Sequence, residues 1–182
     1  MAKLVSKVYG DALFEEAMEK ETLSAWYEEV GALKAIFTEH ADLVQFLNHP
    51  QIIKEEKIKV IEKIFSGTLS EGLLGFLVIV MEKGRQNDLP AICDYFLNRV
   101  KEYKKIGVVS VTSAVPLSDA QKADVERRLL ETTSYVSLET EYRVDEGLLG
   151  GLVIRIGDRV VDSSIRTRIE ELKRDLMKLQ MA

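Results

Sequence analysis

The chain has 182 residues, 46% hydrophobic and 30% charged, with 11 Gly, 3 Pro and a single cysteine. That composition is globular, and the length supports one large domain or two small ones. A net charge of −5 argues against a phosphate backbone as the main partner, and the lone Cys93 excludes an internal disulfide framework or a cysteine-rich zinc site.

The amino-terminal stretch lacks an apolar run of signal-peptide type, and Asp11, Glu15, Glu16 and Glu19 argue against a transit peptide. Val5, Tyr9, Ala12 and Leu13 share one face of a first helix, with Glu16 and Lys20 paired one turn apart. A second helix from near Thr22 turns Trp26, Val30, Leu33 and Phe37 inward. A short third helix covers Leu43, Val44, Phe46 and Leu47 and stops before Pro50. A fourth runs from about Ile53 to Phe65, with Glu55 and Lys59 spaced as an ion pair. Thr68 and Glu71 have capping-box spacing for a fifth helix, Leu73 to Lys83. Asp88 and Pro90 open a sixth, which holds Ile92, Phe96, Val100 and Tyr103.

The fifth helix is apolar around nearly its whole circumference, from Leu73 to Met81. Such a helix is either central to a core or lines a groove for a partner's amphipathic helix. At nine residues with a glycine inside, this stretch is too short to cross a membrane, which takes about 18 apolar residues.

Near residue 106 the chain changes character. Residues 1–105 hold 12 Lys and two Arg, whereas 106–182 hold three Lys and eight Arg. Of the 13 aromatics only Tyr135 and Tyr142 lie in the second part, where apolar spacing shifts from near 3.6 to two. The expected organisation is mainly α: a six-helix bundle over 1–105, then a small α+β domain, β-α-β-β-α, over 106–182. In that second domain Val109, Val111 and Ser113 share one face of a strand. Ser118 and Gln121 have capping-box spacing for a helix through Val125, Leu129 and Leu130. Val136 to Val144 alternates as a half-exposed strand, and Gly157-Asp158 turns a hairpin between Leu152–Ile156 and Arg159–Val161. A last helix from about Ser163 spaces Ile165, Ile169, Leu172, Leu176 and Leu179 for docking on its own sheet. Its basic residues Arg166, Arg168, Lys173, Arg174 and Lys178 would suit an acidic partner helix or anionic lipid heads, the helix being the better fit.

No constellation of catalytic groups emerges. Gly147-Leu-Leu-Gly-Gly151 lacks the Lys and Ser/Thr of a phosphate loop and leads into a strand, as a bulge or tight turn would. His40 and His49 have no second ligand pair, so no metal is expected; Cys93, in an apolar helix, has no activating neighbour. Adjacent acids such as Glu15–Glu16, Glu28–Glu29 and Glu55–Glu56 diverge by about 100° on a helix and cannot converge on a substrate. Neither a cofactor nor an enzymatic activity is expected; a free-standing helical adaptor or regulatory protein would explain the first domain but leaves the second unexplained.

Tyr9-Gly-Asp-Ala-Leu13, Phe76 through Met81-Glu-Lys-Gly-Arg85, Val111-Thr-Ser-Ala114 with Pro116-Leu117, Val144-Asp-Glu-Gly-Leu-Leu-Gly-Gly151, Ile156-Gly-Asp158, Val161-Asp-Ser-Ser-Ile165 and Arg168 occur in an order that is specific as a set. Over essentially its full length the chain resembles the delta subunit of bacterial and chloroplast F-type ATP synthases, the family of the mitochondrial oligomycin-sensitivity-conferring protein. The resemblance implies a non-catalytic stator subunit of a proton-translocating ATP synthase, peripheral on the cytoplasmic face of the plasma membrane. It implies that residues 1–105 bind the amino-terminal helices of the alpha subunits and that 106–182 bind the b subunits of the peripheral stalk. The family's groove between its first and fifth helices falls here on Tyr9, Ala12, Phe76 and Val80, with Trp26 nearby. On that assignment Val80→Asp would weaken alpha-subunit binding. Gly10 stands where the family often has Ala, at a cost of up to ~1 kcal/mol of helix stability.

Overall fold

A computed structural model describes residues 2–180; the side chains of 2, 3, 175, 176 and 178–180 are outside the description, Leu176, Lys178 and Leu179 among them. The chain divides into two compact units, Met1–Lys101 and Glu102–Ala182. It is mainly helical, with one small four-stranded sheet.

The first unit carries α1 (Ala2–Glu19), α2 (Leu23–Glu39), α3 (Ala41–Asn48), α4 (Lys54–Phe65), α5 (Glu71–Glu82), a 3-10 turn (Gln86–Asp88) and α6 (Leu89–Tyr103). Every one of these six α-helices contributes to a single apolar cluster. The predicted inward stripe of α2 is there: Trp26, Val30, Leu33 and Phe37 are all buried. Lys20 Nζ reaches Glu16 Oε1 at 2.7 Å, the expected one-turn pair.

The start of α5 differs from the expectation. Thr68 and Glu71 do not form a capping box; the cap position is Ser70, whose own side chain makes no capping bond. Instead the Glu29 carboxylate of α2 accepts both the Ser70 amide at 2.9 Å and its hydroxyl at 2.8 Å. A carboxylate from another helix satisfies the backbone there, and a charged acceptor binds more strongly than a neutral one. Sequence spacing cannot reveal a cap 41 residues away.

Gly10 has a packing reason. A Cβ there would collide with the Tyr95 ring of α6, whose hydroxyl is fixed by a 2.9 Å bond to Asp11 Oδ1. The helix-propensity cost is therefore offset by close α1–α6 approach.

The second unit comprises β1 (Ile106–Ser113), α7 (Asp119–Thr132), β2 (Ser137–Val144), a 3-10 turn (Glu146–Leu148), β3 (Leu152–Ile156), β4 (Arg159–Asp162) and α8 (Ile165–Gln180). Strand order is β2-β1-β3-β4, with β1 and β2 parallel across α7 and the remaining pairs antiparallel. Register places Val109 beside Thr140 and Ile156, and Val111 beside Tyr142 and Ile154, on one face. Those two valines are the fully buried aliphatics of the central strand. The capping box of α7 forms in both halves, Ser118 N to Gln121 Oε1 at 2.9 Å and Gln121 N to Ser118 Oγ at 3.4 Å. Tyr142 ties β2 to α7, donating to Glu126 Oε1 at 3.0 Å; burial, then the hydrogen bond to that carboxylate, pushes its phenol up to about 12. The proton of this bond therefore stays in place at neutral pH.

Among the described residues the expected docking of α8 on the sheet is not seen, and Leu176 and Leu179 lie outside them. Ile165, Ile169, Leu172 and Met177 are all exposed, Leu172 by 63%.

Two outcomes follow from this packing. Gly10→Ala should lower stability by about 1–2 kcal/mol, as overpacking does, where an unobstructed helix site would gain up to ~1 kcal/mol. Adding Tyr95→Ala should abolish that penalty, which a double-mutant cycle by urea denaturation measures. Amides of β1 and β3 should also exchange with deuterium faster than those at Ile92, Phe96 and Val100, since little apolar surface holds the sheet.

Candidate functional site

On the first unit, the candidate surface is an apolar strip carried by α1 and α5. The Tyr9 and Phe76 rings meet edge to face, with centroids 6.3 Å apart at 72°, a favoured aromatic geometry. Tyr9 is half-buried and Phe76 is 9% exposed, so the pair forms a floor. Ala12, one turn beyond Tyr9, is exposed. Trp26 and Val80 lie elsewhere: both are core residues, 2% and 0% exposed. The Lys20 ammonium sits 5.9 Å from the Trp26 ring centroid, closing it off further. Trp26 and Val80 can support the strip from beneath and cannot touch a docked partner. Val80→Asp would place a charge in the core and report on folding instead.

The residues that complete the strip are Gly75 and Ile79 on α5 and Val8 on α1. Ile79 is 50% exposed, one turn beyond Phe76, and Val8 is exposed as well. Gly75 is open, with nothing near the position of a Cβ. A helical projection of α5 puts Gly72, Gly75 and Ile79 on one side, flanking Phe76, with Gly72 covered by the Trp26 ring and Gly75 open. The small residues on that side were the available signal; uniform apolar character around the helix hid it.

On the second unit, an open cavity of about 800 Å³ lies between α7 and the sheet, walled by Val125 and Leu129 on one side and by Leu117, Leu149, Leu152 and Ile154 on the other. Asp124 and Arg128 stand at its edge, 3.0 Å apart. Adjoining it, the glycine cluster proves to be a backbone clamp. A Cβ at Gly151, where φ is +81°, would collide with the Ser163 carbonyl. That close approach lets Ser163 N donate to Leu152 O at 2.8 Å and Ile165 N to Gly150 O at 3.0 Å, which seats the start of α8. Asp145 Oδ1 accepts Gly147 N at 2.9 Å, so this loop's polar groups are spent on its own chain.

Asp162 completes the anchor. Its carboxylate accepts Ser164 N at 2.8 Å and the Thr167 hydroxyl at 2.7 Å. The Ser164 hydroxyl accepts Thr167 N at 3.2 Å, the spacing of a helix N-cap. The amide of Ser164, then the Thr167 hydroxyl, hold the Asp162 pKa below its ordinary value. Cys93 is buried, and that burial pushes its thiol up to about 12, far from the thiolate a nucleophile needs. Among the described residues no three His, Cys, Asp or Glu side chains converge as metal ligands, and no helix is long and apolar enough to cross a membrane.

The family model described as ATP synthase delta (OSCP) subunit matches residues 5–176. The chain belongs to that family. It is similar to the ATP synthase subunit delta of Lachnoclostridium phytofermentans, 51% identical with 100% of both chains covered. It is also similar to those of Bacillus cytotoxicus, 33% identical over 97% of each chain, and Halalkalibacterium halodurans, 34% identical over 95% of this chain and 94% of the other. The fold is shared with a chain in the mitochondrial ATP synthase hexamer of Toxoplasma gondii, with a TM-score of 0.72 at 17% identity over 94% and 97% of the two chains. As a delta (OSCP) subunit the chain is a non-catalytic, structural part of the stator of an F-type ATP synthase. A free-standing adaptor is thereby set aside.

The lowered pKa of Asp162 ties the start of α8 to pH in one direction. A depressed folded pKa contributes stability that is complete above the unfolded value of about 3.9 and disappears as pH falls through the folded value. The helical 13Cα shifts of 164–168 should hold at neutral pH and decay only below that range. Asp162→Ala should reduce them at neutral pH and lose its effect at the acid end, where the wild-type carboxylate is itself protonated.

Proposed function

We propose that the first unit, as a six-helix bundle, caps the catalytic head by holding amino-terminal helices of the alpha subunits on the α1–α5 strip. The second unit holds the b subunits of the peripheral stalk. The observation that carries the reading is the strip itself: a Tyr9–Phe76 floor 6.3 Å between centroids, with Ala12 and Ile79 exposed beside it. An amphipathic helix presents anchors one turn apart, which this spacing accepts. Tyr9, Ala12 and Phe76 are the contact residues in this reading, with Ile79 added; Trp26 and Val80 brace them.

For the second unit, the support is its apolar surface. The cavity beneath α7 and the exposed α8 residues Ile169, Leu172 and Met177 are together more apolar surface than a small isolated unit usually leaves in water. Two separate contacts through one chain also raise the effective concentration of each for the other. Such a connector transmits torque without any chemistry of its own. In this reading it sits on the cytoplasmic face of the plasma membrane as a peripheral part of the complex.

Ile79→Asp tests the first contact, because Ile79 is exposed and the substitution leaves the core intact. Calorimetry with an alpha-subunit amino-terminal peptide should show affinity reduced about tenfold or more, the loss of one apolar anchor. Unchanged affinity in a protein with an unchanged melting temperature would remove the strip from the interface.

A further inference from the structure

The α1–α5 strip changes chemistry along its length. On α1, Leu4, Val8, Ala12, Glu15 and Glu19 fall on one side at helical spacing, and all five are exposed. The first three are apolar, Leu4 and Val8 being 69% and 59% exposed, and the last two are acids. On α5 the matching row is Glu71, Gly75, Ile79 and Glu82, again exposed throughout.

Contacts within the bundle fix how the two rows lie together. The carboxylate of Glu29, in the second turn of α2, holds Ser70 at the start of α5. The Trp26 ring lies over Gly72, and Lys20 Nζ, just past the end of α1, comes within 3.5 Å of a Cβ placed there. The start of α5 therefore meets the carboxyl-terminal end of α1. Tyr9 and Phe76 touch farther along, so α5 runs back toward the beginning of α1. Glu71 joins Glu15 and Glu19 at one end of the strip, and Ile79 joins Val8 and Leu4 toward the other.

The acid end is one-sided. Its cation, Lys20, is bound to Glu16. Among the described residues no ion pair includes Glu15, Glu19 or Glu71. At the apolar end Glu82 has exposed Lys83 next to it, and Lys7 is exposed one residue from Val8, so charge there is mixed. An apolar helix alone could lie on the strip either way round. Carboxylates at one end favour the orientation that brings cations to them, while the reverse sets those cations beside Lys7 and Lys83.

We infer that the strip receives an amphipathic helix of unequal ends. Its apolar anchors rest between Val8 and Ile79, and its lysine or arginine residues lie at the Glu15–Glu19–Glu71 end. This rests on the reading of the strip as a helix-binding surface, and adds which way round the helix lies.

The full chain is titrated by calorimetry with an alpha-subunit amino-terminal peptide. Glu15→Gln with Glu19→Gln should weaken binding about threefold, the size of exposed charge contacts. Glu15→Lys with Glu19→Lys should weaken it about tenfold or more, as like charges then meet. Binding to the unaltered chain should fall between about 0.05 and 0.5 M salt, and the two glutamines should remove most of that dependence. Glu55→Gln with Glu62→Gln, which removes the same charge from α4, should leave affinity unchanged. A nitroxide on the peptide end richer in Lys and Arg should broaden the amides of 15–19 and 71 and spare those of 4–8 and 79. Undiminished affinity in the Glu15→Gln and Glu19→Gln pair, an equal loss in the α4 pair, or broadening at 4–8 instead would overturn the inference. If Ile79→Asp still weakens binding in that case, the strip stands as the interface and only the orientation is wrong. If Ile79→Asp has no effect either, the strip reading fails and takes this inference with it.

Discussion

Six helices of the first unit share one apolar cluster, and that shared interior limits how much each can hide. Helix α5 meets the limit first. Leu73, Phe76, Leu77, Val80 and Met81 enter the core, and this takes up the part of its circumference that neighbours can reach. Ile79 and Gly75 are left outside, beside the Tyr9–Phe76 contact. The exposed strip is thus the remainder of a packing problem: a helix apolar on all sides, whose neighbours cover only part of it, leaves one side to solvent. Desolvation that folding cannot complete becomes available for assembly.

The second unit solves the opposite problem. Its sheet buries Val109 and Val111 and little besides, so position is fixed by polar and backbone contacts. The two-sided cap of α7, the Tyr142–Glu126 bond and the Gly151–Ser163 approach each determine where an element starts or rests. Such contacts specify geometry at modest net stability, since each replaces a bond to water. A unit built this way has a definite shape and a large apolar surface to spare.

Local patterns in the sequence revealed most of the elements, because periodicity and capping spacing act over one or two turns. Helix α2 with its four inward residues and the Ser118–Gln121 box are examples. Features set by distant residues were hidden. Nothing near Ser70 announces that Glu29 caps α5, and nothing near Gly10 announces the ring of Tyr95. Of the residues named through family resemblance, Tyr9, Ala12 and Phe76 lie on the strip, while the burial of Trp26 and Val80 depends on packing between helices distant in sequence. For α8 the period was right, but period tells only that a helix has an apolar side, and not whether its own chain covers it.

The clamp at Gly151 has a mechanical meaning. Helix α8 spans 16 residues, about 24 Å at 1.5 Å per residue, and the fixings around Ser163, Ser164, Ile165 and Thr167 all sit at its first turn. It is held like a cantilever, with a root of main-chain and side-chain bonds and with Ile169, Leu172 and Met177 exposed along its span. A sideways load on the tip would be felt at the root as bending, multiplied by the arm's length, while the buried valines of the sheet bear none of it directly. A link of that kind can yield in angle and recover without its core being disturbed.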